Sequence, residues 1–198
     1  MKTTRQDTRE HILITGEKLC VHRGFTGMGL IELLKVAEVP KGSFYYYFAS
    51  KEAFGVAMLE RYFALYHQRF SSYLADHQGE QRQRILDYYQ QSITTFCQDH
   101  AFSGCLSVKL SAEVCDLSET MRNALNAGSK ALITTLTAAI ERAERQGTVK
   151  LPGNTASACA QNIYMLWLGA SLQSKISRDI MPLNSAWQEI NRMLPAPL

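Results

Sequence analysis

Apolar side chains recur every three or four positions along nearly the whole chain, and almost nowhere do they alternate with polar ones as a strand requires. The pattern predicts an all-α fold of about nine helices. A first helix covers 7–23, with Ile12, Gly16, Leu19 and Cys20 on one stripe. Asp7-Thr-Arg-Glu10 has the form of a capping box, Asp7 as cap and Glu10 reaching back. Gly24 is placed to end this helix, and Phe25 to plug a small core. A second helix spans 30–37, with Gly29 as its cap. After a short turn, Pro40 suits the first turn of a third helix, where its missing N–H costs nothing. Phe44 and Phe48, four apart, share the face that anchors it. Ser50 caps a long fourth helix running to about 75 through Phe54, Met58, Tyr62, Phe63, Tyr66 and Phe70. A fifth covers 80–98 and a short sixth 105–115. After a turn and cap at Asp116-Leu-Ser-Glu119, a seventh runs over 118–146 and ends at Gly147. An eighth covers 155–177, with Ile163, Leu166, Trp167, Ala170 and Leu172 on its apolar side. Pro182 breaks the chain before a last helix at 183–194.

Helix, short turn, helix with an apolar seam is a DNA-reading geometry: the first crosses the backbone and the second enters the major groove. Charge agrees with it. The chain carries +3 overall, and residues 1–51 hold eight Lys/Arg against five Asp/Glu, so the whole excess lies there. The expected organisation is a three-helix helix-turn-helix head over 1–52 and a helical ligand-sensing and dimerisation body over 53–198. The last two helices are apolar, and Gly169, Ala170 and Ser171 permit close approach, which predicts a homodimer through them. No apolar run is long enough to span a membrane and the N-terminus lacks a signal-peptide core, so a cytoplasmic protein is expected. Five cysteines, an odd number, argue against a disulfide framework. No phosphate loop, metalloprotease motif or nucleophile elbow is present, so an enzyme is not expected, nor a cofactor.

The run Ala37-Glu-Val-Pro-Lys-Gly-Ser-Phe-Tyr-Tyr-Tyr-Phe-Ala-Ser-Lys-Glu52, with Gly24-Phe25 and Ile31 before it, resembles the DNA-binding signature of the TetR family of one-component transcriptional repressors. The resemblance implies a homodimer on a palindromic double-stranded operator, released when a small-molecule inducer engages the body. Carried over by position, it implies DNA contacts at Gly29, Lys41, Gly42, Ser43, Tyr45, Tyr47 and Lys51. Lys51 and Tyr45 fall to phosphate, Lys41 and Ser43 to base edges. The chain departs from the family pattern in three places. Glu38 stands where a turn glycine is common, Met28-Gly29 where Thr or Ser is common, and Tyr46-Tyr47 where a His is common. Within the family, Ser103-Gly-Cys-Leu-Ser-Val-Lys-Leu-Ser-Ala-Glu-Val-Cys-Asp-Leu-Ser118 and Leu166-Trp-Leu-Gly-Ala-Ser-Leu-Gln-Ser-Lys-Ile-Ser-Arg178 are similar to the NemR branch, repressors that sense electrophiles and oxidants through cysteine.

A sensing thiol must be accessible and partly ionised, which a helix N-terminus or a nearby cation favours. Cys105 follows Ser103-Gly104 at the start of the sixth helix, and Lys109 lies one turn on. Lys175 is a cation on an otherwise apolar helix. Cys105 with a lysine is therefore the expected sensor, Cys97 and Cys115 secondary thiols, and Cys20 and Cys159 packing residues. The same residues admit other readings. Cys105 can be a small hydrophobe lining a noncovalent pocket, and Cys97-x2-His100 with Cys105 and Cys115 offers zinc or copper(I) ligands, although nothing in the spacing gathers them at one point. A helical adaptor without DNA binding is the rival from another class.

Overall fold

The structure, a computed structural model, describes residues 5–75, 79–98 and 106–197. Among the described residues there are nine helices and no strand: α1 (Arg5–Gly27), α2 (Leu30–Val36), α3 (Lys41–Tyr47), α4 (Lys51–Ala75), α5 (Gln81–Gln98), α6 (Leu106–Val114), α7 (Glu119–Arg145), α8 (Ala156–Ser177) and α9 (Met181–Met193). The chain packs as two compact units. One is Met1–Leu65 with Cys105–Gly128, and the other is Tyr66–Gly104 with Ser129–Leu198.

In the first unit, Ile12, Cys20, Met28, Leu33, Phe44, Phe54 and Met58 are fully buried. Gly16 is required by this packing: a Cβ there would lie 2.2 Å from the Phe54 ring, so the ring rests on the bare backbone of α1. Arg61 on α4 binds Glu10 at 2.6 Å and Glu17 at 2.7 Å. Glu10 is therefore not a capping-box residue, and Asp7 lies inside α1, which is already helical at Arg5. The helix gains more from a carboxylate on the Arg61 guanidinium than from one folded back on its own terminus. Gly24 does interrupt α1, with φ 76° and ψ 172°, but helical turns resume and continue to Gly27. Pro40 is the N-cap of α3, extended at φ −60° and ψ 146°, rather than its first helical residue. Ser50 caps α4 as expected, its hydroxyl accepting from the Ala53 N–H at 3.0 Å.

In the second unit, Phe70, Leu74, Ile85, Tyr89, Leu136, Ile140, Ile163, Leu183 and Ile190 form the core. Long polar side chains tie its ends. Arg82 donates to the Leu194 carbonyl and to Asn191, both at 2.6 Å, and the Trp187 indole N–H donates to the Leu86 carbonyl at 3.1 Å. Thr155 caps α8 through the Ala158 N–H. Pro182 lies in the first turn of α9, which begins at Met181, so it starts that helix rather than preceding it. Leu172 is not on the buried side of α8 with Ile163. Nine positions are two and a half turns, which places it on the opposite face, where it is exposed. Among the described residues no helix is long and apolar enough to cross a membrane.

Candidate nucleic-acid interface and sensing thiols

The third helix is only seven residues long, too short to be stable by its own hydrogen bonds. It is held by aromatic packing. Phe44 and Phe48 lie 5.3 Å apart, centroid to centroid, and both meet Phe54 of α4, at 5.7 and 5.2 Å. The Arg9 guanidinium also lies over the Phe48 ring, 5.4 Å from its centroid. The turn before α3 is fixed by His11, whose Nε2–H donates to the Ala37 carbonyl at 3.0 Å. Glu38 in that turn has φ 53°, the left-handed conformation that the family's usual glycine adopts without cost. A glutamate there carries strain that a glycine would not.

The opposite face is turned to the surface. Lys41, Gly42, Tyr45 and Tyr46 are exposed, and Ser43 and Tyr47 are half-buried at the edges of this face. Nothing lies within 4 Å of where a Gly42 side chain would begin, so a nucleic-acid backbone can approach closely. Tyr46, 64% exposed, presents more of its ring than Tyr45 and was not among the expected contacts. The spacing agrees with that exposure: Tyr46 stands four residues after Gly42, on the same side of the helix. Its ring meets Tyr47 edge-on at 5.0 Å. Gly29 caps α2 in an extended conformation without a side-chain hydrogen bond. Lys51 is half-buried, and its ammonium stands 4.8 Å from the Phe25 ring centroid, a cation–π contact that orients it at the start of α4.

The thiols divide differently. Cys105 lies outside the described residues, and so does the side chain of Cys97. Of the four ligands in the metal reading, Cys97, His100, Cys105 and Cys115, the described side chains include only Cys115. Among the described residues no three His, Cys, Asp or Glu side chains gather as metal ligands. Burial pushes the Cys20 thiol up to about 12, where it packs 3.9 Å from the Met28 sulfur. Burial likewise pushes Cys159 up to about 11, its Sγ donating to the Met193 carbonyl. Both stay protonated near neutrality and are poor nucleophiles. Cys115, one residue past α6, is half-buried and in no disulfide. Lys109 is half-buried on α6, and Lys175 half-buried on α8.

A short helix with a buried aromatic face and an exposed Lys-Gly-Tyr face, preceded by a tight turn from α2, is a DNA-reading helix-turn-helix. The comparison with known families agrees. Residues 12–58 match the bacterial regulatory proteins of the tetR family, and residues 79–190 match the tetracyclin repressor-like C-terminal domain. The chain belongs to the TetR family and is a DNA-binding transcriptional regulator. It is 56% identical over 196 residues to the HTH-type transcriptional repressor NemR of Escherichia coli K12, covering 99% of this chain and 98% of that protein. It is 30% identical over 180 residues to the HTH-type transcriptional repressor DhaR of Mycobacterium sp. strain GP1, covering 91% and 88%. The crystal structure of the reduced form of E. coli NemR superposes with a TM-score of 0.92 at 54% identity, covering 96% of this chain and 98% of that one. These relatives are named as repressors, not as enzymes.

Proposed function

We propose that this chain is a homodimeric cytoplasmic repressor of the NemR type, which leaves its palindromic operator when a reactive electrophile or oxidant modifies a cysteine of residues 53–198. The observation that carries the DNA half is the exposed face of α3, held on the Phe44–Phe48–Phe54 cluster, in a chain 56% identical to a repressor. Lys41 and Ser43 read base edges. Tyr45 and Lys51 hold phosphate, with Gly29, Gly42 and Tyr47 allowing or lining close approach. Residues 1–52 form the reading segment.

The dimer reading is supported by α8. Met165, Leu172 and Ile176 are exposed at 51%, 46% and 66%, and with Gly169 they make one row at spacings of four, three and four. An exposed apolar row at this period asks for a partner helix. Cys105 is the sensing thiol, with Lys109 or Lys175 stabilising its thiolate and Cys97 and Cys115 as secondary thiols. Cys20 and Cys159 are too buried to compete.

The test is a mobility shift on DNA upstream of the chain's own gene, with and without N-ethylmaleimide, for wild type and Cys105→Ser. Wild type should bind, release on treatment, and the variant should stay bound. Equal release of the variant would remove Cys105 from the role, and binding indifferent to treatment would point to a noncovalent inducer.

A further inference from the structure

The break in α1 at Gly24 starts a new short turn, and the first amides of such a turn have no carbonyl one turn earlier to bond. Here they find a carboxylate from far along the chain. The Phe25 N–H donates to Oε2 of Glu113 at 3.0 Å and the Thr26 N–H to its Oε1 at 2.5 Å, so each carboxylate oxygen holds one amide. Glu113 stands on α6. Burial works against its charge, yet the bonds from Thr26 and Phe25 and the nearby charge of Lys109 together hold its carboxyl below the ordinary range. Gly24 leaves the room for this: a Cβ at that position would lie 2.6 Å from Oε2.

A second tie lies beside it. Glu52, in the first turn of α4, accepts from the hydroxyls of Ser118 and Thr120, at the corner between α6 and α7. Ser118 also caps α7, accepting from the Met121 N–H at 3.1 Å. The segment 106–121 is thus fastened to α1 and to α4, the helices that precede and follow the α2–α3 pair. The held turn of α1 runs directly into Met28, which is fully buried, and Gly29, the cap of α2. Wherever the end of α1 is held, the start of α2 is set.

We propose that Glu113 is a positioning residue for DNA binding: from outside the 12–58 segment that matches the family's DNA-binding region, its carboxylate fixes the joint between α1 and α2, and so the pose in which α3 meets the operator. α6 thereby acts on the reading head directly, and a chemical event at Cys105 or Cys115, which bracket α6 in sequence, has a defined route to it. The inference rests on the reading of the chain as a sequence-specific DNA-binding regulator. A general phosphate attraction tolerates a small change in helix pose, whereas base-edge contacts do not. The loss of Glu113 should therefore be selective.

Full-length wild type, Glu113→Ala and Glu113→Gln are compared for Kd on the operator and on an unrelated duplex of equal length at one salt concentration. Loss of two partly exposed charge-assisted bonds should weaken operator binding about tenfold in the Ala variant while non-operator binding stays within about twofold. Gln, which keeps one acceptor, should fall between. Amide hydrogen exchange at Phe25 and Thr26 should speed up in the same order. Gly24→Ala attacks the same bond pair from the other side and should give the same selective loss, keeping the test open where one variant folds poorly. Unchanged operator binding, parallel loss on both duplexes, or unchanged exchange at these amides would overturn the proposal. A wild type that prefers no duplex over another would overturn it as well, and would show before any variant is compared that the DNA reading itself had failed.

Discussion

The exposed face of α3 and the exposed face of α8 look alike in composition terms, since both leave large apolar or aromatic side chains in solvent, but they are built on opposite logic. On α3, Tyr45 and Tyr46 are exposed beside Lys41 and Gly42, each tyrosine ending in a hydroxyl, and the helix is pinned from behind by three phenylalanines. On α8, Met165, Leu172 and Ile176 form a row without a charged residue in it, and the small Gly169 sits within the row with open space above it. The first surface offers hydrogen bonds to a polar, charged partner that comes and goes. The second offers only apolar area, which is favourable when another apolar surface permanently excludes water from it. Exposure alone says that a partner is missing; the chemistry of what is exposed says which kind.

The sharpest way to break the α3 side of this comparison is Phe44→Ala. The ring is fully buried and touches both Phe48 and Phe54, so its removal should cost about 3–5 kcal/mol of stability and abolish operator binding. Denaturant unfolding followed by a binding titration measures both. A loss under about 1 kcal/mol would mean that α3 is held by something other than this cluster. On the α8 side, Ile176→Asp puts a charge at the end of the apolar row proposed as the contact between copies. The dimer should dissociate in sedimentation or light scattering. Operator affinity should then fall by about 10²–10⁴, because two linked heads act on two half-sites at once and a lone head does not. A variant that stays dimeric would move the interface off this row.

The two faces also differ in how far they could be read from the sequence. The head was legible because its determinants are close together: Phe44 and Phe48 one turn apart, Ser50 before the fourth helix, an unusual Lys-Gly-Ser run after a proline. The four-residue rule that placed the two phenylalanines inside also put Tyr46 outside with Gly42, though only Tyr45 and Tyr47 were expected to contact DNA. On α8 the apolar pattern was visible but nearly continuous, and a helix apolar on several sides does not announce which row is core. The apolar pattern alone groups Leu172 with Ile163, although two and a half turns separate them. Asp7 three before Glu10 has the form of a cap, and nothing local in the sequence shows that Arg61 claims the carboxylate. Glu113 was invisible in the same way: its partners lie 87 and 88 residues earlier in the chain and are backbone amides, which leave no mark on a sequence. Sequence patterns carry what a helix does to itself; they are silent about carboxylates that cap another helix from a distance.

The smallest expected effect compares the two units through one backbone feature that each carries. Glu38 follows α2 with φ 53°, and Arg178 closes α8 with φ 53° and ψ 39°, its N–H donating to the Ser174 carbonyl. Both are side-chain-bearing residues in the left-handed region, where a Cβ crowds the following carbonyl and glycine does not. Glycine also enlarges the entropy of the unfolded chain, so the net gain from Glu38→Gly or Arg178→Gly should be modest, about 0.5–1 kcal/mol, or about 1–4 °C in Tm for a chain of this size. The informative quantity is where the gain appears. Helices α4 and α7 each contribute residues to both units without a break, so melting one unit frays helices the other depends on. One transition should be seen in calorimetry, and either substitution should raise it, although they sit in different units. Two transitions, with Glu38→Gly raising only one and Arg178→Gly only the other, would show instead that the two units melt independently, and that the continuity of α4 and α7 does not make them cooperative.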